Sequence, residues 1–457
     1  MNLRQQIFEA GIVGAGGAGF PTYKKLVSDA HVDLLVVNGV ECEPLLASDR
    51  YLMRHHAAAI VAGARAMAEA CGAARIVIGT KSHYTSEIAA LERAIEEAGA
   101  PIGIHGLDSF YPAGDEQVLV FEITGRTVLP GGLPLDLGVV TINVATAAHI
   151  AQAVESIPVT RRFVTVTGEV AHPVIVDAPI GARAADLIEA AGGAVSDPYV
   201  IVRGGPMMGR HHPMSEAGKV GYGKADGGLI VLPGDHPLVE FVSKPVERLV
   251  GETQSMCIQC QMCTSLCPRY LIGHQMRPHR VMRSLQNGSD EGLADALLCC
   301  ECGVCELYSC PMGLSPRRMN VYVKGLLRAR GVGIADHAVY PEHQVDRRHR
   351  RIPQSRLIER LQLGGYPVGI DDMVRLDPGE VRIPTRHGVG GPASVQVEIG
   401  ERVSAGQLIA GVEWGAVGAP VHASIDGVVT QADAAHITIA RDPVAGADET
   451  TEQGSSR

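Results

Sequence analysis

The chain has 457 residues, 46% of them hydrophobic and 20% charged, with a formal net charge of −10; at about 150 residues per domain this calls for about three globular domains. The negative balance argues against general affinity for nucleic acid or an anionic membrane surface. The longest apolar stretches, residues 57–74 and 135–154, are interrupted by Arg65, Glu69, Asp136, Asn143 and His149, so neither is expected to span a bilayer, and Arg4 and Glu9 leave the amino terminus too polar for a secretory signal.

Up to about residue 155, short β-branched runs at 32–38, 75–79 and 102–107 alternate with helical stretches at 51–70 and 86–98. Near-continuous apolar strands alternating with helices predict a buried parallel sheet in an α/β layer architecture. Gly14, Gly16, Gly17 and Gly19 satisfy G-x-G-x-x-G, with Glu41 about twenty residues on. Only thirteen residues precede the loop, however, and 10–13 make a poor first strand for a dinucleotide fold. The loop runs instead into Phe20-Pro21-Thr22, where a nest of N–H groups would bind phosphate or simply make a turn. Residues 38–50 follow the carboxyl end of a predicted strand, where ligands of open α/β sheets collect. Cys42 stands between Glu41 and Glu43, which raises its pKa and makes it a poor nucleophile. Cys71, at a helix end, reads as a small buried residue.

Residues 161–232 change character: a hairpin at 163–170 and 173–176, a helix at 183–191 and a strand at 199–203 predict a small α+β module. It leads into the loop Gly204-Gly205-Pro206-Met207-Met208-Gly209. Beyond the helical segment 241–330, an Arg- and His-rich run including Arg347–Arg351 reads as a solvated connector. Short strands over 381–440 predict a small flattened barrel, and the polar end from about residue 446 a disordered tail.

Nine of the eleven cysteines fall between residues 257 and 310. A secreted disulfide framework would spread them; clustering in a chain without a signal peptide points to metal in a reducing compartment. Cys257-x2-Cys260-x2-Cys263-x3-Cys267-Pro is the bacterial ferredoxin spacing, and Cys299-x2-Cys302-x2-Cys305-x4-Cys310-Pro repeats it with one extra residue. In two-cluster ferredoxins the fourth cysteine of each run serves the other cluster. One 4Fe–4S cluster is therefore assigned to Cys257, Cys260, Cys263 and Cys310, and a second to Cys299, Cys302, Cys305 and Cys267, with Cys300 competing for the place of Cys299. Paired zinc sites seldom use this spacing with a terminal Cys-Pro twice over.

These stretches together resemble a known family. Residues 14–25, with Asn38, Glu41, Glu43 and Pro44, look like the FMN- and NADH-binding region of the respiratory complex I flavin subunit, and still more like the Rnf-complex C subunit. Tyr111, Gly114 and Glu116, then Asn143 and Thr146, match further flavin-pocket stretches. The barrel is carboxyl-terminal here, an order that resembles the cobalamin reductases of propanediol-utilising bacterial microcompartments. The resemblance implies a multidomain α/β chain: a Rossmann-like FMN/NADH domain over 1–158, a β-grasp (SLBB) domain over 159–240, and a helical di-cluster ferredoxin domain over 241–330. A connector over 331–380, a barrel-sandwich hybrid (lipoyl-like) domain over 381–442 and a tail over 443–457 complete it.

The resemblance further implies that Gly14, Gly16, Gly17 and Gly19 shape the FMN and NADH cleft, and that Lys25 and Asn38 contact the flavin. Glu41, Tyr111, Gly114, Glu116, Asn143 and Thr146 complete the pocket, Phe20 stacks on a nicotinamide or adenine ring, and Glu43 accepts ribose hydroxyls. The implied function is an NADH-dependent reductase of cob(III)alamin and cob(II)alamin that keeps a B12-dependent diol dehydratase active. Its implied partners are cobalamin or a corrinoid-handling adenosyltransferase, a shell protein and a second copy of the chain, in the cytoplasm within or on a microcompartment. The alternatives are an Rnf-type electron relay to a protein partner and a binding module with an empty flavin cleft. The barrel hairpin from Val421 carries no lysine for biotin or lipoate, so docking or structure is its expected role. No Asp-x-His-x-x-Gly corrinoid signature is present, and the pairs His55-His56 and His211-His212 read as surface residues.

Overall fold

The computed structural model describes residues 2–27, 30–290, 292–334 and 341–441; the expected tail lies outside them. Its first unit is a four-stranded parallel sheet ordered Ile102–Leu107, Arg75–Lys81, Leu34–Asn38, Val139–Asn143. Leu35, Val36 and Val37 are fully buried, as a strand covered on both faces requires. The stretch read as one helix over 51–70 is two, Ser48–His55 and Ala57–Cys71, broken where His56 leaves helical geometry. Ala57–Cys71 packs on Val144–Val154 through Gly63, where an added Cβ would lie 1.8 Å from the Ala147 carbonyl oxygen. Asn38 and Asn143 are register partners at the carboxyl ends of adjacent strands, so their side chains and the loops beyond them meet at one edge.

The second unit is a six-stranded sheet. Arg161–Gly168 and Val174–Pro179 pair antiparallel as the expected hairpin, and Gly228–Pro233, Tyr199–Arg203 and Arg210–Pro213 follow outward. The outermost strand comes from far along the chain: Met373–Arg375 pairs parallel with Val174–Pro179.

The connector is thus part of the fold. Ile352–Pro353 pairs with Phe110–Tyr111 of the first unit. Arg347 is buried, ion-paired to Glu122 and stacked over Phe121 at 4.5 Å. Arg351 lies over Phe110 at 4.7 Å and pairs with Asp108 at 3.2 Å. Within the run expected to be solvated, Arg348 and His349 are exposed, but Arg347 and Arg351 form a guanidinium clamp, because the aromatic faces and the Glu122 carboxylate accept charge that water would otherwise hold.

Helices Pro237–Ser243, Val246–Met256, Pro278–Asn287 and Pro316–Ala329 carry the cysteine segment. The barrel is two small sheets, one of Glu380–Pro384, His436–Ala440, Gly427–Ala432 and Arg402–Val403, the other of Ser394–Val395, Leu408–Gly411 and Val421–His422. They enclose Val381, Ile383, Ile409, Val421, Ile437 and Ile439, all fully buried.

Candidate functional site

The glycine loop precedes the first strand and is held as a hairpin. Val13 bridges Pro21, and the Gly14 N–H donates to the Phe20 carbonyl at 2.8 Å. Two bonds pin its flank: the Ala15 N–H donates to Thr146 Oγ1 at 2.9 Å, and Arg162 donates to the Ala15 carbonyl at 2.7 Å. Gly16, Gly17 and Ala18 are exposed, and a Cβ on Gly17 would meet nothing within 4 Å, whereas one on Gly16 would stand 3.6 Å from the Asn143 Cβ. The loop tip therefore lies open above the first turn of Val144–Val154, the geometry that receives phosphate.

Around that turn the polar side chains interlock. Asn143 caps the helix by accepting from the Ala145 N–H at 2.8 Å and donates to Asp49 at 2.6 Å. Asn38 donates to the Gly114 carbonyl at 2.9 Å, and Gly114 stands so near Val40 that an added Cβ would be 2.3 Å from its carbonyl oxygen. Lys25 donates to the Thr141 carbonyl at 2.8 Å and pairs with Glu116 at 3.1 Å. Burial opposes ionisation of Glu116, but Lys25 and the Thr141 hydroxyl hold its carboxyl below the usual range. Burial, with Asp49 nearby, pushes Glu41 up to about 8. Cys42 is raised by burial first and by Glu41 and Glu43 second. Lys25, Asn38, Glu41, Gly114, Glu116, Asn143 and Thr146 thus share one sheet edge with the loop tip. An exposed N–H cradle beside a lysine and two asparagines fits a phosphate-bearing flavin.

Four residues face elsewhere. Phe20 is half-buried at the loop's end. Gly19 is covered by the barrel, where a Cβ would lie 2.0 Å from the His387 carbonyl oxygen. Glu43 turns to the loop 204–209: its Oε2 accepts from the Met207 N–H at 3.0 Å, while Oε1 is buried without a partner among the described residues. Burial pushes this carboxyl up to about 7. Tyr111 is buried and donates to the Cys302 carbonyl at 2.7 Å.

The two cysteine loops share one backbone device. Gln259 and Gln261 in the first, Glu301 and Gly303 in the second, all have positive φ, at the same offsets from Cys257 and Cys299. Residues alternating with the left-handed conformation aim successive N–H groups into one concavity, a nest for an anion. Cys257, Cys260, Cys263 and Cys310 line one cavity together. Cys299, Cys302, Cys305 and Cys267 lie near one another and near Cys300: burial, then Cys300 and Cys299, raise Cys267; burial, then Cys299 and Cys267, raise Cys305; and a hydrogen bond to Cys300 raises Cys302 ahead of burial, with Cys267 and Cys305 adding to it. Donors reach the sulfurs: Gln259 Nε2 to Cys257 at 3.1 Å, the Glu301 N–H to Cys299 at 3.3 Å and the Leu314 N–H to Cys310 at 3.4 Å. Such bonds favour the thiolates that clusters require, and both sets fit 4Fe–4S clusters. Cys299, not Cys300, holds the position equivalent to Cys257; Cys300 is half-buried against Arg269 and Cys302.

Several residues gain a role that their local sequence does not announce. The loop 204–209 clamps Glu43 and also meets the second cysteine loop, where a Cβ on Gly303 would lie 3.0 Å from the Met207 carbonyl oxygen. Buried Lys224 donates to the Gly11 carbonyl at 2.8 Å and the Pro420 carbonyl at 2.7 Å, joining three units. The barrel's Ala416 and Gly415 carbonyls accept hydrogen bonds from the Tyr23 hydroxyl and the Lys24 ammonium. Of the histidine pairs, His56 packs on Phe163, and His211 is pushed down to about 4 by burial; neither is a free surface ring.

Family models match the chain in series: a Nuo51 FMN-binding domain over residues 7–152, an SLBB domain over 163–211, a 4Fe-4S dicluster domain over 256–315 and an RnfC barrel sandwich hybrid domain over 373–444. The chain is similar to the cobalamin reductase PduS of Salmonella typhimurium strain LT2, at 40% identity over 450 residues and 96% of each chain. Its likeness to the cobalamin reductase PduS of Citrobacter freundii is 40% over 451 residues, again 96% of each. The C subunit of the Na(+)-translocating ferredoxin:NAD(+) oxidoreductase complex of Acetobacterium woodii is 35% identical over 273 residues, 59% of this chain and 58% of that one. No helix among the described residues is long and apolar enough to cross a membrane. A flavin site and two cluster sites packed against one another make the chain an electron-transferring oxidoreductase, and it belongs to the family of the cobalamin reductase PduS.

Proposed function

We propose that this protein takes electrons from NADH and delivers them singly to cobalamin, as cob(III)alamin and cob(II)alamin. A bound flavin accepts a hydride's two electrons together and releases them one at a time, and the clusters conduct them singly. The observation that carries the reading is the direct contact between the two kinds of site. Tyr111, three residues before Gly114 of the flavin edge, donates to the Cys302 carbonyl, and Arg269 pairs with Asp115, one residue from Glu116, at 2.9 Å while lying against Cys300. Cys305 and Cys263 are near enough to influence one another, so the second set leads on to the first. Exposed Cys260 then marks where electrons leave.

Gly14, Gly16 and Gly17, with Lys25, Asn38 and Asn143, are the residues we assign to the flavin, and half-buried Phe20 to the nicotinamide nucleotide; Glu43, enclosed against the Met207 N–H, is left out of that role. The eight cysteines in two crossed sets are assigned to the clusters. Identity over 96% of the length of a named cobalamin reductase supports cobalamin as acceptor, against 59% coverage for the Rnf-type relay. The reading extends to the setting: a microcompartment, a shell protein as anchor, an adenosyltransferase receiving the reduced corrinoid, and self-association.

The test is anaerobic reconstitution with FMN, iron and sulfide, addition of NADH, and spectra of hydroxocobalamin beside a ferricyanide control. Reduction of both acceptors supports the reading. Ferricyanide reduction with cobalamin untouched overturns the acceptor, and reduction of neither overturns the donor.

A further inference from the structure

A cavity of about 340 Å3 lies between the helices of the first unit and the near edge of the six-stranded sheet, at the low end of the range that holds small ligands. It is distinct from the flavin site. Asn143 and Thr146 serve that site from the first turn of Val144–Val154, whereas His149 and Gln152 line the cavity from later turns of the same helix.

The cavity's charge is positive, with Arg161, Arg162 and Arg375 set against Asp49 and Asp177. Burial, with Arg162 and Lys224 nearby, pushes His149 down to about 3, so its ring stays neutral; burial also raises the Asp49 carboxyl. Donors remain to be used. Arg161 spends Nε and Nη2 on Asp177 and the Leu376 carbonyl, and its Nη1 has no acceptor among the described residues. Among the described residues Arg375 reaches only Asp177, at 3.8 Å, and it is 71% exposed. The side chains of His149 and Gln152 have no hydrogen-bond partner among the described residues. The facing wall is flat and apolar: the Phe163 ring stands 5.0 Å from that of His56, beside Leu52 and Ile157.

Surplus positive charge, unused donors and a flat apolar wall converge on one ligand chemistry. We propose that this cavity binds a small carboxylate or phosphate ester bearing one flat ring, its anionic group on Arg161 and Arg375 and its ring against Phe163. The site is coupled to the flavin edge, because Arg162 also holds the Ala15 carbonyl of the glycine loop and Asp49 also holds Asn143. Occupancy is therefore expected to change how tightly FMN is held.

The probes are phenyl phosphate and benzoate, titrated calorimetrically into the flavin- and cluster-loaded protein so that the flavin phosphate site is already filled. Inorganic phosphate and benzyl alcohol serve as controls for the charge and the ring alone. Binding of either probe at one per chain, at least about tenfold tighter than both controls, is expected. Arg375→Ala, at an exposed position, and Phe163→Leu are each expected to weaken it severalfold with the melting temperature of Arg375→Ala unchanged. Absence of binding by both probes at millimolar concentration overturns the proposal, as does binding that neither substitution alters or that inorganic phosphate matches.

Discussion

The Tyr111 phenol donates to the backbone carbonyl of Cys302 at 2.7 Å, in a position where the tyrosine is only 2% exposed. The short strand Phe110–Tyr111, which leads to Gly114 at the flavin edge, is thus hydrogen-bonded to the central cysteine of the second loop. Burial raises the phenol's pKa well above its ordinary value, with Glu43 and the nearby thiols adding to the effect, so the group remains a donor throughout the working range.

Tyr111→Phe leaves the Cys302 carbonyl unsatisfied in a dry site, a loss of roughly 1–3 kcal/mol. Flavin and iron contents are expected to remain near normal, while transfer from reduced flavin to the clusters slows. Stopped-flow absorbance after an NADH pulse measures this, and an unchanged cluster-reduction rate would show that the contact is only structural.

The crossed ligand sets give an outcome that an uncrossed arrangement does not. Cys310 lines the cavity of Cys257, Cys260 and Cys263, so Cys310→Ser and Cys257→Ser are expected to remove the same cluster, about half of the iron, with identical residual paramagnetic spectra. Cys267→Ser is expected to match Cys299→Ser instead. Cys300→Ser is expected to keep both clusters, since Cys299 occupies the place equivalent to Cys257.

Lys25 pairs with half-exposed Glu116 and donates to the Thr141 carbonyl. Lys25→Ala leaves the carboxylate without its cation and removes a positive charge beside the loop tip. A severalfold fall in bound flavin with iron unchanged is expected from absorbance and iron assay, and normal flavin content would defeat the assignment.

What is legible in the chain's sequence, and what is not, divides along physical lines. Leu34–Asn38 is legible because a strand buried in the middle of a parallel sheet must be apolar almost throughout, whereas Ile102–Leu107, at the sheet's edge, keeps only its two end residues buried. The cysteine loops are legible because a cubane imposes its own spacing on the chain. Met373–Arg375 is not, since all three residues are exposed and backbone pairing alone recruits them to the sheet. Arg347 and Arg351 resemble any charged run until the folded chain brings Glu122, Phe110 and Phe121 beneath them. Lys224 is ordinary in sequence, and its burial arises only where three units meet. The turning of Glu43 toward Met207 likewise depends on a contact across 164 positions.

Glu43 offers a test of its burial by pH. Its carboxyl is enclosed and raised from 4.5 to about 7, chiefly by burial. The folded chain therefore holds this proton more tightly than the unfolded chain does, and the associated stability is full below about pH 4.5 and lost as pH rises through about 7. Glu43→Gln removes the titration. Urea melts across that window are expected to show wild type losing up to roughly 3 kcal/mol relative to the variant. Parallel profiles would mean that the carboxyl is solvated in the folded protein.

The barrel's place on the glycine loop can be tested at Gly19. This residue has φ of +64, and an added Cβ would lie 2.0 Å from the His387 carbonyl oxygen and 2.7 Å from the Gly388 Cα. Both obstacles are backbone, so neither a side-chain rotation nor a small shift relieves Gly19→Ala. Gly17→Ala is the matched control: its φ of +104 imposes backbone strain, but its methyl would meet nothing within 4 Å. The strain common to both is roughly 1–3 kcal/mol; only Gly19→Ala also forces the barrel away. Faster hydrogen exchange at residues 386–391 and 415–418 is expected for Gly19→Ala alone; faster flavin dissociation is expected in both variants, in Gly17→Ala because that glycine is itself assigned to the flavin and in Gly19→Ala because the loop loses its outer support. Lys224 anchors the same interface from the other side through Gly11 and Pro420, so the barrel is expected to loosen locally at the loop rather than detach. Equal exchange in the two variants would assign the loop's order to Arg162 and Thr146 instead, and leave the barrel without influence on the flavin site.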